Sequence, residues 1–201
     1  MKTATLLALL FLNGELPENF RTVGEADVLA DGIPVTITRA ERSDGLNGGI
    51  GGEHISQAVS DSGKLLGYVR MTREMAQPAD LPDEETAHRV AMDVLRQHAP
   101  DLLEAHKVHW IAPHDESITV MENGKPKKLV LTGMKVKMRA TTPDKLWFWV
   151  IVGPNEQVMV FERDIYWVTL PGHRRTEKWL HDNWLSEHPE VVSRLREAAD
   201  S

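Results

Sequence analysis

An apolar run in the last third of the chain limits the fold more than any other feature. Residues 146–152 (LWFWVIV) contain no charged residue, and residues 145–185 hold five of the six Trp in the 201-residue sequence. Uninterrupted apolar runs are typical of strands buried on both faces, whereas half-exposed strands alternate. The turn sequence Gly153-Pro154-Asn155 and a second strand-like run at 157–161 follow. The pattern therefore predicts a central strand that is covered on both sides.

Most of the remaining sequence reads as strands separated by short turns. The predicted strands cover residues 27–30, 34–40, 55–59, 65–71, 107–112, 117–121, 128–140 and 165–170. In the longest of these, Met134, Val136 and Met138 alternate with basic residues, which places the two kinds of side chain on opposite faces. Short turns such as Glu122-Asn123-Gly124-Lys125 favour antiparallel neighbours.

The clearest helical signal follows Asp83, which is predicted to be an N-cap. Apolar residues recur at spacings of three and four between Ala87 and His98, so one side of this helix should be buried. The small side chains of Ala87 and Ala91 would let the helix lie close to a sheet. Further helices are predicted to begin at Thr176 and Pro189.

These elements predict an α+β fold in which an antiparallel sheet is packed by one main helix, with N-terminal β-hairpins and a C-terminal helical cap. The length favours a single domain over residues 15–201. We divide it into a β-hairpin region (15–76), a helix plus antiparallel sheet (77–170) and the helical cap (171–201).

The first 14 residues have two interpretations. Lys2 followed by an apolar run at 4–12 resembles a secretory signal, but no Ala-x-Ala cleavage site follows. The alternative is a docked N-terminal segment. The first interpretation predicts a periplasmic or secreted protein, and the second a cytoplasmic one; the run is too short to span a membrane.

Composition excludes several classes of function. The chain has 23 Lys and Arg against 30 Asp and Glu, a formal net charge of -7, which argues against nucleic-acid binding. It has no Cys, so thiolate catalysis and Cys-based metal sites are ruled out. No cofactor is expected, and no Gly-x-Ser-x-Gly motif indicates a nucleophilic Ser.

One segment supports an alternative function as a metal-dependent hydrolase. His106, His109, His114 and Asp115 are close in sequence and are residue types that bind zinc. On a strand, however, His106 and His109 would point to opposite faces, so the spacing argues against a shared metal ion. The sequence therefore favours a protein that is not an enzyme.

Two basic groups provide the main candidate binding site. The first lies on the longest predicted strand and the second follows the last one; together they comprise Lys135, Lys137 and Arg139, and Arg174, Arg175, Lys178 and His181. If the groups meet in space, they could bind an anionic ligand or an acidic protein partner. The alternative is a solvated sheet face, with the Lys and Arg stems lying over Trp rings. A third possibility is a structural or assembly module that uses exposed Trp.

The order of a helix with Ala87-x-x-x-Ala91 followed by strands resembles small exported domains of the PepSY-like and cystatin-like kind. The resemblance covers roughly residues 83–161 and includes the Trp-rich strand at 147–152, a turn and the strand at 158–161. The turn Gly153-Pro154-Asn155-Glu156 departs from the usual glycine-bearing turn. The resemblance implies a role in binding, inhibition or regulation, and it implies no catalytic residues.

Overall fold

An eight-stranded antiparallel sheet dominates the computed structural model, which describes residues 12, 14, 16–170 and 172–197. Its strands are β1 (Phe20–Ala30), β2 (Ile33–Arg42), β3 (His54–Ser60), β4 (Leu65–Met71), β5 (His106–Glu122), β6 (Lys125–Ala140), β7 (Trp147–Val152) and β8 (Val158–Ile165). Their order across the sheet is β1-β2-β3-β4-β8-β7-β6-β5. The predicted α+β fold with a large antiparallel sheet is confirmed; the possible signal segment lies almost entirely outside the described residues.

The remaining elements are short, apart from one helix. They are the strands β9 (Trp167–Val168) and β10 (His173–Arg174), and the helices α1 (Glu84–His98), α2 (Pro100–Leu103), α3 (Asp182–Leu185) and α4 (Pro189–Glu197). Single 3-10 turns lie at Arg73–Met75, Pro78–Asp80 and Pro154–Glu156. No helix among the described residues is long and apolar enough to cross a membrane.

Helix α1 packs on one face of the sheet, which we call the outer face. The Asp83 side chain accepts a hydrogen bond from the Thr86 backbone N–H at 2.8 Å, so Asp83 is the N-cap, as its sequence context predicted. Ala87 and Ala91 are fully buried, and the helix contacts β6 and β7. Small side chains permit this close approach.

The opposite, inner face packs against residues 166–170 and 172–197, which we call the C-terminal segment. Leu180, Leu185, Val191 and Leu195 belong to the same hydrophobic cluster as inner-face side chains of the sheet. Because both faces are covered, all of β7 after Trp147 is buried.

The start of the C-terminal segment differs from the predicted helix at Thr176. The Thr176 hydroxyl accepts a hydrogen bond from the Tyr166 backbone N–H and donates one to Asp31 Oδ2. These distant partners hold the chain extended, so the helix begins only at Asp182. The strand predicted at 165–170 is likewise divided between the end of β8 and the short β9.

The edge strand β5 shows that the sheet is strongly curved. Two strands were predicted here, but the structure has one strand of 17 residues. Its Thr119 N–H donates to Gly51 O at 2.7 Å, in the loop that joins β2 and β3. In a flat sheet β5 would lie roughly 24 Å from β3, since neighbouring strands are about 4.8 Å apart. The inner face is therefore concave around the C-terminal segment.

The close approach of α4 to β1 can be tested at Gly24. A Cβ atom added to Gly24 would lie 1.3 Å from Leu195 O, so Gly24→Ala must push α4 away. We expect the free energy of unfolding to fall by about 1–3 kcal/mol, with loss of amide-exchange protection in α4. Thr22→Ala, at an exposed β1 position, is the control. Unchanged stability and protection in Gly24→Ala would contradict this packing.

Candidate functional site

The side chain of Glu162 is the centre of a buried polar cluster on the inner face. Glu162 is 2% exposed and lies on β8. Arg174 Nη1 donates to Glu162 Oε1 at 2.7 Å, and Trp149 Nε1 donates to Oε2 at 3.0 Å. His181 Nε2 lies 3.0 Å from the same Oε2 atom. The cluster thus joins β7 and β8 to two points of the C-terminal segment.

Charge pairing keeps these buried groups ionised. Burial alone would raise the pKa of Glu162, but the charges of Arg174 and His181 outweigh it and hold the pKa well below its usual range. Burial alone would lower the pKa of His181, but Glu162 opposes it through charge and a hydrogen bond, and the pKa is raised. The pair therefore favours the carboxylate form of Glu162 and the imidazolium form of His181.

The two predicted basic groups meet at the ring of Trp149. Lys135 Nζ lies 4.3 Å from the ring centroid, and Arg174 Cζ lies 5.8 Å from it. Burial lowers the pKa of Lys135, although the nearby carboxylates Glu162 and Glu116 oppose the shift. Here the cations face carboxylates of the same chain, so this meeting point is internally neutralised.

A second buried ion pair, which the sequence did not reveal, fixes the start of α3. Asp182 accepts hydrogen bonds from Arg39 Nη1 at 2.7 Å, from Arg39 Nη2 at 3.1 Å and from the Gly51 backbone N–H at 2.5 Å. His54 Nδ1 lies 3.4 Å away. Burial would raise the pKa of Asp182, but His54 and Arg39 lower it below its usual value.

The other predicted site residues of the C-terminal segment lie elsewhere. Arg175 is exposed, with Cζ 3.9 Å from the Tyr166 ring centroid and Nη2 3.5 Å from Asp31 Oδ1. Lys178 is also exposed. Arg174 and His181 are thus engaged with Glu162, while Arg175 and Lys178 lie on the surface.

Lys137 lies among three Trp rings. Its Nζ atom is 4.5 Å from the ring centroid of Trp147, 5.3 Å from that of Trp167 and 5.6 Å from that of Trp110. Within the part of the chain that the structure describes, no carboxylate oxygen lies within 4.0 Å of this ammonium group. Burial lowers the pKa of Lys137. The positive charge is therefore stabilised by aromatic faces and not by an ion pair.

Beyond Lys137 the inner face opens into a cavity of about 540 Å³, which we call the basic cavity. It is lined by Lys107, His109, Arg139, Ala140, Thr141, Lys145 and Trp147. Arg139 Cζ lies 4.9 Å from the Trp147 ring centroid, and Arg139 Nε donates to Lys145 O at 3.0 Å. None of the lining residues, all in the described part of the chain, is Asp or Glu.

One residue of the cavity lining, Lys145, has an unusual backbone conformation. Lys145 has a φ of 50°, in the left-handed region that side chains other than Gly rarely adopt. Such a conformation costs roughly 1–2 kcal/mol. The Lys145 carbonyl oxygen accepts a hydrogen bond from Arg139 Nε in this conformation. The left-handed backbone at Lys145 therefore helps to hold the Arg139 guanidinium at the cavity.

The residues of the hydrolase alternative do not converge. His106 Nδ1 contacts the carbonyl oxygens of Leu102 and Leu103, whereas the His109 ring packs edge-on against Trp147. His114 Nε2 lies 3.4 Å from Glu116 Oε1. No group of three His, Asp or Glu side chains that could hold a metal ion occurs among the residues described.

Comparison with protein-family models, curated proteins and solved structures finds no significant match for this chain. The resemblance to PepSY-like and cystatin-like domains therefore stays a prediction. The site has to be interpreted from its own geometry.

Removing the central carboxylate should destabilise the fold. Glu162→Gln keeps the size of the side chain but leaves Arg174 and His181 buried without their counter-charge. We expect the free energy of unfolding to fall by about 3–5 kcal/mol, measured by urea denaturation at pH 6. Glu187→Gln, at an exposed position in the C-terminal segment, is the control. A loss no larger than the control's would show that the cluster does not stabilise the fold.

The same cluster predicts a pH dependence. The pKa of His181 is raised above 6.5, so its stabilising effect is complete below about pH 6.5 and is lost as the pH rises through the raised value. At acidic pH the lowered pKa of Glu162 has the corresponding effect: its contribution to stability is lost as the pH falls below about 4.5. The contribution of the His181–Glu162 pair to stability should therefore decline as the pH rises above about 6.5.

The His181 contribution can be separated from those of other titrating groups by difference. Urea denaturation at pH 5.5, 6.5, 7.5 and 8.5 should show a smaller alkaline decline in His181→Asn than in wild type. His173→Asn, at an exposed position of β10, should keep the wild-type slope. Equal slopes in all three proteins would contradict an ion pair between His181 and Glu162.

Proposed function

We propose that this protein is a non-catalytic binding protein whose basic cavity receives a small anionic ligand. The observation that supports this most is the absence of acidic residues from the cavity lining, where Lys107, Arg139 and Lys145 come together in the described chain. Arg174, buried on the inner face, has the carboxylate of Glu162 as its partner, whereas Lys107, Arg139 and Lys145 are exposed and line a surface without a carboxylate. An anion would supply the counter-charge that the cavity lacks.

The dimensions of the cavity favour a small molecule over an acidic protein partner. About 540 Å³ lies within the range of roughly 300–1,000 Å³ that small-molecule sites occupy. A stable protein partner would need a contact surface of about 800 Å². Arg139 has its Nε atom bound to Lys145 O, which leaves the Nη atoms for a ligand.

In this proposal the C-terminal segment acts as a cap beside the site, since none of its described residues lines the basic cavity. It covers Glu162 and Trp149 on the inner face, and its Trp167 ring reaches the vicinity of Lys137. A periplasmic or secreted location, the PepSY-like resemblance and the structural or assembly role remain predictions. Among the described residues, no group of three His, Asp or Glu side chains could hold the metal ion that the hydrolase alternative needs.

The proposal predicts that binding depends on the cavity cations. We would titrate wild type and a Lys107→Met/Arg139→Met double variant with a panel of inorganic phosphate, citrate, acetate, 2-naphthoate and 2-naphthyl phosphate, by calorimetry at low salt. At least one anion should bind wild type, and the double variant should bind it about tenfold or more weakly, because each charge-assisted hydrogen bond contributes about 1.5–3 kcal/mol.

Lys178→Met is the matched control, because it removes an exposed Lys of the second predicted basic group. It should bind like wild type, and added salt should weaken binding to both. Equal binding by wild type and the double variant, or loss of binding in Lys178→Met alone, would contradict the assignment of the basic cavity.

A further inference from the structure

The Trp side chains at and beside the basic cavity indicate which chemical group the ligand has in addition to its negative charge. This inference rests on the proposed function. Trp147 lines the cavity, and the ring centroids of Trp110 and Trp167 lie 5.6 Å and 5.3 Å from the neighbouring Lys137 Nζ atom. Trp110 is 37% exposed and Trp167 is 40% exposed. Two large aromatic surfaces thus remain in contact with solvent next to unpaired cations.

The placement of Trp147 connects the aromatic surfaces with the charges. Lys137 Nζ is 4.5 Å from its ring centroid, Arg139 Cζ is 4.9 Å from it, and the His109 ring packs edge-on at 5.1 Å. Cations bound to an aromatic face are held by the negative potential of the ring. A ligand whose anionic group meets these cations must therefore lie within contact distance of an indole ring.

Simple inorganic anions would use only part of this surface. Phosphate or acetate could satisfy the cations, but it would make no stacking contact with the Trp147 ring that lines the cavity. A flat aromatic ring can stack on Trp in an offset or edge-on arrangement, which contributes beyond the area that it buries. The juxtaposition of bare cations and partly exposed indole rings suits a ligand with both features.

We propose that the basic cavity selects planar aromatic acids, in which a carboxylate or phosphate meets Lys107, Arg139 or Lys145 and the ring packs against Trp147. The carboxylate and phosphate forms share this chemistry. The two kinds of acid are separated by comparing 2-naphthoate with 2-naphthyl phosphate.

The test compares probes that differ in one property at a time. Calorimetry on the full chain would measure 2-naphthoate, 2-naphthyl phosphate, decahydro-2-naphthoate, acetate and the neutral 2-naphthalenemethanol. Decahydro-2-naphthoate keeps the charge and the carbon skeleton but not the planar ring. We expect 2-naphthoate or 2-naphthyl phosphate to bind about three- to tenfold more tightly than the decahydro acid, since an aromatic pair adds about 0.5–1.5 kcal/mol. The neutral alcohol should also bind more weakly, because it lacks the charge that meets the cations.

Substitution of Trp147 checks that the ring contact is the cause. Trp147→Phe should keep the preference for the aromatic acid over the decahydro acid, whereas Trp147→Leu should reduce it to about twofold or less. If Trp147→Leu does not fold, the probe comparison on wild type and Trp147→Phe decides alone.

The possible failures differ. If acetate or the decahydro acid binds as tightly as 2-naphthoate, and binding still requires Lys107 and Arg139, the aromatic preference is wrong while the proposed function stands. If the neutral alcohol binds as tightly as the acids, recognition is apolar and both proposals are wrong. If none of the anions binds in a manner that depends on Lys107 and Arg139, both are also wrong.

Discussion

The carboxylate of Glu162 is the constraint on which the arrangement of the inner face depends. It is held by Trp149 from the central strand, by Arg174 from β10 and by His181 just before α3. Without this negative charge, two cations of the C-terminal segment would be buried unpaired, at a cost of several kcal/mol. A single side chain of the sheet therefore fixes the path of the segment between β10 and α3, and Asp182 with Arg39 fixes the next step.

Pairing with buried carboxylates distinguishes two groups of basic residues on the inner face. The net charge of -7 does not show this difference. Arg39, Arg174 and His181 are paired with buried carboxylates and stabilise the fold. Lys107 and Arg139 face each other on neighbouring strands without an acidic partner in the described chain. A ligand could supply the carboxylate or phosphate that this second group lacks, whereas the first group already has its counter-charge.

Sequence patterns predicted the parts of the fold that local chemistry determines. The capping role of Asp83 and the burial of the apolar run follow from neighbouring residues; the cap is found, and residues 148–152 of the run are buried while Trp147 is half-buried. The roles of Arg174 and His181 could not be read in this way, because their partner Glu162 is set by long-range packing. A basic residue near a turn looks the same in sequence whether it meets solvent or a buried carboxylate.

The cavity could not be predicted from the sequence, because it depends on a β-bulge in the pairing of β5 with β6. Counting back from the Asn123-Gly124 turn would place Arg139 opposite Val108, but a bulge between Val108 and Trp110 shifts the register and brings Lys107 opposite Arg139. The bulge puts two cations side by side on the inner face. Three basic side chains follow one another along β6 at intervals of roughly 7 Å. Lys135 lies near carboxylates, Lys137 lies among Trp rings, and Arg139 lines the open cavity. The charge that is available to a ligand lies in the cavity, which no described residue of the C-terminal segment lines.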